Sequence, residues 1–263
     1  DEYDRSFLTL EPRIAVVTTV EADHLDVYGS MGAIEEAFRE FLAPVPPDGL
    51  IAACVDDPGA RRLLRDVGDG RALGYGLDSS AELRAVDVEL RGRGSRFRVE
   101  ERGEPLGELV LRVPGLHNVR NALGALAAAR AAGADVEAAR RALAGFEGVE
   151  RRFQELGSMG DVAVVDDYAH HPTEIAAVLA AARGAYPGRR IVAVFQPHLY
   201  TRTRDFAPEF GRALAGADVV WVADVYPARE APIPGVSGEL VARATREAGG
   251  AEVHYHADLG SLA

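Results

Sequence analysis

The sequence contains no lysine, so all 29 of its basic residues are arginine. A phosphate-binding loop of the G-x-x-x-x-G-K-[ST] type needs a lysine that reaches the outer phosphates of a nucleotide. Lysine is also the side chain that forms Schiff bases with carbonyl substrates. The sequence therefore contains neither a lysine-dependent phosphate loop nor a Schiff-base lysine.

Cysteine is almost absent as well. The single cysteine, Cys54, excludes an intrachain disulfide and fits a reducing compartment, so a cytoplasmic location is expected. Cys54 falls within a predicted strand, where the residue is better explained as part of the core than as a reactive thiol. The apolar runs have only the length of strands, which predicts neither a signal peptide nor a membrane-spanning helix.

The charge balance is acidic, with 41 acidic residues against 29 basic ones and a formal net charge of −12. No stripe of basic and aromatic residues occurs, so nucleic acid is not an expected partner. The chain has 263 residues, of which 48% are hydrophobic. That is enough for one large domain or two ordinary ones, each with a core of its own.

The first half of the chain predicts a mixed sheet. Apolar runs predict buried strands at 14–18 and 50–55, and helical spacing predicts a helix at 31–43. Between 83 and 113 the apolar period changes to two, which predicts antiparallel strands with a hairpin turn at 102–105. The expected fold class is therefore α/β, with an antiparallel part in the first sheet.

A polar stretch at 21–26 follows the first predicted strand. It contains His24, which has the chemistry of a metal ligand or a phosphate contact. The alternative is an acidic helical turn with a surface histidine, which is the commoner situation for a single histidine.

Two asparagines mark the start of a predicted alanine-rich helix at 118–132. Asn118 and Asn121 are three residues apart, so their side chains share one helix face. Each amide offers both a donor and an acceptor, which suits recognition of a purine edge. The alternative is helix capping, for which asparagine is equally suited.

A glycine-containing segment at 145–149 predicts a boundary between two domains, 1–147 and 148–263. Arg151 and Arg152 follow it after Glu150. Guanidinium groups bind phosphate oxygens in a bidentate manner, so this pair is a candidate phosphate clamp. The alternative is a pair of surface arginines beside a linker.

The second domain alternates strands and helices, which predicts a parallel, doubly wound sheet. Strands are expected near 161–167, 190–196, 218–223 and 251–255. Three of them run into polar loops, at 166–174, 196–205 and 224–230. Since parallel strands end at a common edge where ligands bind, these loops predict a site for an anionic small molecule. Taken singly, the first loop is also explained as a capped helix with two surface histidines.

Six motifs together carry a resemblance to the Mur ligase family, which builds the peptidoglycan precursor. In chain order they are DRSFL (4–8), EADHLD (21–26), GLHNVRNA (115–122), RRF (151–153), DDYAHHPTE (166–174) and FQPHLYTRTR (195–204). The resemblance implies part of a central ATPase domain with a mixed sheet at 1–147, and a Rossmann-like amino-acid-binding domain at 148–263. It implies ATP-dependent formation of an amide between UDP-N-acetylmuramate and L-alanine, through an acyl phosphate, with Mg²⁺ as cofactor.

The resemblance also implies roles for individual residues. His24 would ligate Mg²⁺, Asn118 and Asn121 would hold adenine, Arg152 would contact phosphates and Asp167 the ribose. The alanine and the reacting carboxyl group would be surrounded by a set of five side chains, namely Tyr168, His170, His198, Arg202 and Arg204. Some relatives carry arginine at the position of Leu199, which puts more weight on the two arginines that follow.

The family pattern further implies that the UDP-binding domain, the phosphate loop and a Mg²⁺-binding glutamate precede this chain. A final strand and helix are expected to follow it. On this interpretation the chain is part of a longer enzyme and is inactive alone. Two alternatives stay open: a murein-peptide ligase, which joins recycled tripeptide to the same sugar nucleotide, and a binding remnant without catalysis.

Overall fold

The computed structural model describes residues 4–67 and 70–258, apart from the side chain of residue 26. Both ends of the chain, and so the outer limits of the two predicted domains, lie outside the described residues. No described helix combines the length and the apolar character needed to cross a bilayer. The chain divides into two compact units, 1–147 and 148–263.

The first unit contains one six-stranded mixed sheet, in which the strands follow one another in chain order. They are β1 (Ile14–Val17), β2 (Leu50–Cys54), β3 (Ala72–Gly76), β4 (Leu83–Arg91), β5 (Gly94–Glu101) and β6 (Glu104–Leu111). Strands β1 to β4 are parallel, and β4 to β6 are antiparallel. The β5–β6 turn places Arg102 and Gly103 at positive φ, as a two-residue hairpin turn requires. The predicted mixed sheet is confirmed.

Helices cover both faces of this sheet. They are α1 (Leu25–Tyr28), α2 (Met31–Leu42), α3 (Pro58–Arg65), α4 (Leu116–Ala131) and α5 (Val136–Ala144), after a short 3-10 helix at Ser6–Thr9. Because side chains alternate along β2, Ile51 faces the core formed with α2 and α3, whereas Cys54 faces the core formed with α4. The Cys54 thiol is buried, and burial raises its pKa, so the structural interpretation of this cysteine is confirmed.

The second unit contains a parallel sheet of three strands in the order β11-β10-β9, namely β9 (Val192–Phe195), β10 (Val219–Val222) and β11 (Glu252–Tyr255). Its helices are α6 (Pro172–Ala185), α7 (Tyr200–Leu214) and α8 (Gly238–Ala248). A hairpin of β7 (Gln154–Met159) and β8 (Val162–Asp166) precedes them. The strand predicted at 161–167 is therefore present, but its hydrogen-bonded neighbour is the antiparallel β7 and not a parallel strand.

The three helices of this unit share one core. Ile175 of α6, Phe210 of α7 and Val241 of α8 pack with Phe195 and Val220 of the sheet. The opposite sheet face carries alternate residues of the same strands, such as Val194, which is 64% exposed. A doubly wound arrangement would place helices on both faces, whereas the helices described for this unit cover only one.

An exposed ion pair ties α6 to the start of β10. Both Nη groups of Arg183 donate to the Asp218 carboxylate, at 2.7 and 2.8 Å, and the Ile191 N–H donates to it at 2.7 Å. These bonds favour the ionised carboxyl group and lower the pKa of Asp218 to about 2. In an Arg183→Leu variant we expect this pKa to rise towards the ordinary value, as followed by the ¹³C shift of the Asp218 carboxyl group during an acid titration. An unchanged midpoint would show that the backbone donor alone sets the pKa.

Candidate functional site

The loops that follow β9 and β10 continue the parallel pairing beyond the sheet. The Leu199 N–H donates to the Tyr226 carbonyl at 3.0 Å, and the Tyr226 N–H donates to the Pro197 carbonyl at 2.8 Å. This pairing places His198 beside Tyr226, and their rings stack with centroids 5.7 Å apart and planes 17° apart. The carboxyl edge of the sheet therefore carries two fixed aromatic side chains.

Two further rings extend this arrangement into a row. The His170 ring lies 6.3 Å from that of His198, and the Tyr168 ring lies 5.2 Å from that of His170, both in edge contacts. We call Tyr168, His170, His198 and Tyr226 the ring row. Its two ends are open to solvent, since Tyr168 is 45% exposed and Tyr226 is 54% exposed. The row offers a partly apolar surface with polar ring atoms, which suits a small amphipathic ligand.

A buried arginine lies behind the ring row. Arg202 is only 5% exposed, and its Nη1 lies 3.3 Å from Nδ1 of His198. The sequence predicts a polar loop at 196–205, but α7 already begins at Tyr200. Arg202 therefore belongs to the first turn of α7, where the helix dipole disfavours a cation.

Glu230 bonds to the same first turn of α7. Its carboxylate accepts hydrogen bonds from the N–H of Thr201 at 3.0 Å and from the Thr201 hydroxyl at 2.5 Å. A carboxylate that bonds to the first turn of a helix is stabilising, both as a cap and through the dipole. Glu230 thus links the loop after β10 to the helix that carries Arg202.

The Leu199 side chain is turned away from solvent. Its side chain is 2% exposed, so it belongs to the core. Its backbone has φ +69°, a region in which a branched side chain is strained. Such strain persists only where surrounding structure enforces it, which in this turn is the backbone pairing with Tyr226. Leu199 therefore shapes the turn between His198 and α7.

The environment of His198 opposes its protonation. Burial, followed by the positive charge of Arg202, lowers the pKa of the His198 imidazole. His170 and Arg229 act in the same direction, whereas Glu230 raises it. The imidazole is consequently held neutral under conditions in which an ordinary histidine is partly charged.

An Arg202→Met variant is expected to raise the pKa of His198, because one of the opposing charges is removed. The measurement is the pH titration of the His198 ring signals by NMR. Because the pKa is lowered on folding, the unfolded chain binds this proton more tightly. His198 therefore contributes stability above a pH of about 6.5, which is lost as the pH falls towards the pKa of the folded state. A lower pKa of His198 in the variant would contradict this account.

The start of α6 organises the first end of the ring row. The Glu174 carboxylate accepts the N–H groups of His170 and His171 at 2.9 and 3.1 Å, and lies 3.7 Å from Nη1 of Arg152. Asp167 accepts the N–H of Phe153 at 2.8 Å. These bonds hold the segment that carries Arg152 against the loop after β8.

The guanidinium groups before Phe153 stack on the ring row. Arg151 lies 4.6 Å and Arg152 lies 5.9 Å from the centroid of the Tyr168 ring, both in cation–π contact. Arg152 is about half exposed, so its charge remains accessible to an anion. The structure thus brings together Arg152, Asp167 and the ring row within the second unit.

Arg204 stands apart from this group. Its Nε donates to the carboxylate of the adjacent Asp205 at 2.7 Å, and its side chain is half exposed. Within 4–67 and 70–258, no contact joins Arg204 to the ring row. Its predicted role at the substrate remains a prediction.

In the first unit, Asn118 and Asn121 lie in the first turns of α4. Nδ2 of Asn118 donates to the Pro114 carbonyl at 2.7 Å and leaves Oδ1 as an acceptor. This bond is not a helix cap, because the N-cap residue of α4 is Gly115 and it has no side-chain cap bond. Asn121 is exposed. The capping interpretation is therefore not supported for Asn118, and the contact of the pair with a purine stays a prediction.

His24 does not lie in a ready-made metal site. It adopts φ +52°, and its Nε2 is 3.5 Å from the Asp23 carboxylate. Among the side chains that the structure describes, no group of three or more His, Cys, Asp or Glu residues could hold a metal. Mg²⁺ takes six oxygen ligands, so these residues do not by themselves fit that ion. The role of His24 stays a prediction.

Three contributors to the site are not identified by sequence reasoning. Glu174 stands three residues after His171, a spacing that is the known signature of a capping box. The sequence places Tyr226 at the correct edge, but nothing in it shows that this ring stacks on His198. Glu230 accepts a hydrogen bond from Thr201, which lies 29 residues earlier in the chain, and no local sequence pattern predicts this contact.

Family models match both units. A model described as the Mur ligase middle domain matches residues 2–129, and one described as the Mur ligase glutamate ligase domain matches residues 151–263. Among curated relatives, the UDP-N-acetylmuramate–L-alanine ligase of Salinibacter ruber is 48% identical over 97% of this chain and 54% of its own length. That of Mycolicibacterium vanbaalenii is 50% identical over 100% of this chain and 56% of its own length.

Solved structures agree with these matches. The UDP-N-acetylmuramate–alanine ligase of Thermotoga maritima is 29% identical with a TM-score of 0.78, over 100% of this chain and 55% of that one. A murein peptide ligase from Psychrobacter arcticus is 25% identical with a TM-score of 0.62, over 97% of this chain and 52% of that one. The chain thus spans little more than half the length of the relatives that it matches.

Proposed function

The chain belongs to the Mur ligase family, and from this we propose that it supplies part of an ATP-dependent ligase that joins L-alanine to UDP-N-acetylmuramate. The observation that carries the proposal is the ring row with Arg202 behind it, at the carboxyl edge of a parallel sheet. Ligands of open α/β sheets bind at this edge.

The chemistry of the ring row suits the amine substrate. L-Alanine must lose a proton from its ammonium group before the nitrogen can attack an acyl group. His198 is the candidate acceptor of that proton, because burial and Arg202 lower the pKa of His198 and keep its imidazole neutral. The proton would be taken up by the lone pair at Nδ1, so the contact of Nδ1 with Nη1 of Arg202 must be released in this step. Tyr168 and His170 provide the adjoining wall. The negative charge of the substrates is complemented by Arg202 and Arg152.

The nucleotide contacts are proposed for each unit separately. Asn118 and Asn121 are assigned to the adenine edge, which matches the free Oδ1 of Asn118 as an acceptor for an exocyclic amino group. Arg152 is assigned to the phosphates and Asp167 to the ribose. Because both oxygens of Asp167 already accept backbone N–H groups, a ribose hydroxyl would share one of them.

In the proposed reaction, the muramate carboxylate attacks the γ-phosphate of ATP and forms an acyl phosphate. The amine of alanine then attacks the acyl carbon, and phosphate leaves. Positioning and charge neutralisation carry most of the catalysis in phosphoryl transfer. Mg²⁺ would neutralise phosphate charge in such a reaction, but the described residues do not form its site and no step is assigned to it.

A chimaera tests the proposal. The matched 255 residues of the Salinibacter ruber ligase are replaced by this chain, and phosphate release is measured with ATP, UDP-N-acetylmuramate and either L-alanine or the tripeptide L-alanyl-D-glutamyl-diaminopimelate. We expect turnover with L-alanine. Preference for the tripeptide would instead identify a murein-peptide ligase.

The isolated chain is the matched control, since we expect it to release no phosphate. A folded chimaera that turns over neither amine would contradict the proposed function. Circular dichroism and a cooperative thermal transition establish that the chimaera is folded, so that a misfolded product is not taken for an inactive one.

A further inference from the structure

Asp56 joins three separate parts of the first unit. Its carboxylate accepts the N–H groups of Leu77 and Asp78 at 3.0 and 2.9 Å, and Nε of Arg120 donates to it at 2.6 Å. The Asp56 side chain is only 11% exposed. One carboxylate at the end of β2 thus fastens α4 to the turn between β3 and β4.

The chain leaves room for this carboxylate by means of a glycine. A Cβ added to Gly76 would overlap Oδ1 of Asp56, so the carboxylate would have to move. Any larger residue at position 76 would displace Asp56 from its donors. The position of the carboxylate is therefore enforced by its surroundings and is not a chance surface contact.

Arg120 lies between the two asparagines in sequence but not on their face. With about 100° per residue, Asn118 and Asn121 are about 60° apart around α4, whereas Arg120 is about 160° from Asn118. Arg120 is therefore unsuited to contact a base held by the two amides. Its ion pair instead fixes the rotation of the first turns of the helix.

We propose that the Asp56–Arg120 ion pair positions the face of α4 that binds an adenine nucleotide, an inference that rests on the proposed function. The Oδ1 atom of Asn118 is already oriented, because Nδ2 donates to the Pro114 carbonyl. Asn121 is one turn further along, so the angle between the two amides depends on how α4 is held. Arg120 is a positioning residue and touches no substrate.

A second ion pair on the same helix provides a matched control. Nη1 of Arg130 lies 2.9 Å from the Glu101 carboxylate, with exposures of 29% and 26%. Ten residues along a helix correspond to about 15 Å, which removes Arg130 from the asparagine face. Substitution of either arginine removes one positive charge and one ion pair, but only Arg120 adjoins the proposed base site.

The test uses the ¹⁵N-labelled chain and adenosine, which has no phosphate, so that a lost charge by itself does not alter binding. In the wild-type chain we expect saturable shifts of the Asn118 and Asn121 side-chain amide signals. Arg120→Leu and Asp56→Asn are each expected to raise the dissociation constant about fivefold, because the lost ion pair acts on the nucleotide only indirectly, through the orientation of α4. Arg130→Leu is expected to leave it unchanged, and Arg120→Lys to restore part of the affinity.

The outcomes separate the inference from the function on which it rests. If the wild-type amide signals do not respond to adenosine, the proposed nucleotide site is wrong and the inference falls with it. If the wild type binds but the Arg120 and Arg130 variants bind equally well, only the positioning role is refuted. Thermal unfolding of each variant shows whether a loss of affinity reflects unfolding. Where it does, the affinity of Arg120→Lys decides whether the ion pair has a positioning role.

Discussion

Replacement of Gly238 by alanine is expected to destabilise the second unit by about 3 kcal/mol, the upper end of the usual range for overpacking, because the new Cβ meets backbone. Gly238 is the first residue of α8, and a Cβ at this position would overlap the carbonyl oxygen of Ala223. Its N–H also donates to the Asp224 carboxylate at 2.9 Å. Relief of the clash would therefore separate α8 from the end of β10.

Urea unfolding measures this effect directly. The only tryptophan of the chain, Trp221, lies in β10 and reports on the second unit through its fluorescence. The matched control is Gly184→Ala in α6, where an added Cβ has no neighbour within 4 Å. Alanine in a helix interior is more favourable than glycine, so this control is expected to gain about 0.5–1 kcal/mol. If both variants have the same free energy of unfolding as the wild type, the close approach of α8 to β10 is refuted.

Replacement of His198 by alanine in the chimaera is expected to lower kcat/KM for L-alanine by at least about 100-fold, the usual range for loss of a proton acceptor. The change removes the candidate base and also the partner of Arg202 and Tyr226. Because the imidazole is exchanged for a smaller apolar group, Arg202 would remain buried without its bond to Nδ1. Phosphate release at saturating and limiting L-alanine separates kcat from KM.

His254→Ala is the matched control for this prediction. His254 lies in β11 of the same sheet, stacks on Trp221 with ring centroids 4.3 Å apart, and belongs to the sheet face opposite the helices. We expect it to leave kcat/KM within about twofold, as for surface substitutions away from a site. Equal losses in the two variants would show that His198 acts only through the stability of the sheet.

Much of the fold follows from local patterns. The period of two between 83 and 113 predicts the antiparallel strands, because one face of each strand is buried and the other solvated. The alternation of strand and helix after 172 predicts the parallel sheet. The pairing of β8 is not predictable in the same way, because periodicity identifies a strand but not its neighbour.

The candidate site is likewise predictable from the sequence only in part. Tyr168, His170 and His198 are identified from the sequence because each follows a predicted strand. The strand before Tyr168 and His170 is β8, however, which pairs with β7 and lies outside the parallel sheet. The start of α7 at Tyr200 is not identified from the sequence. A polar segment with two arginines lacks the signs of a helix N-terminus, since its carboxylate, Glu230, comes from a distant loop.

Residue type and local spacing were sufficient to establish the fold class, the polar loops at the strand ends and the lack of a lysine-dependent phosphate loop. Which side chains meet was settled by tertiary packing alone. The stacking of Tyr226 on His198, the buried position of Arg202 and the ion pair between Asp56 and Arg120 join residues far apart in the chain or depend on packing. Such contacts depend on the register and packing of whole elements, which no local pattern specifies.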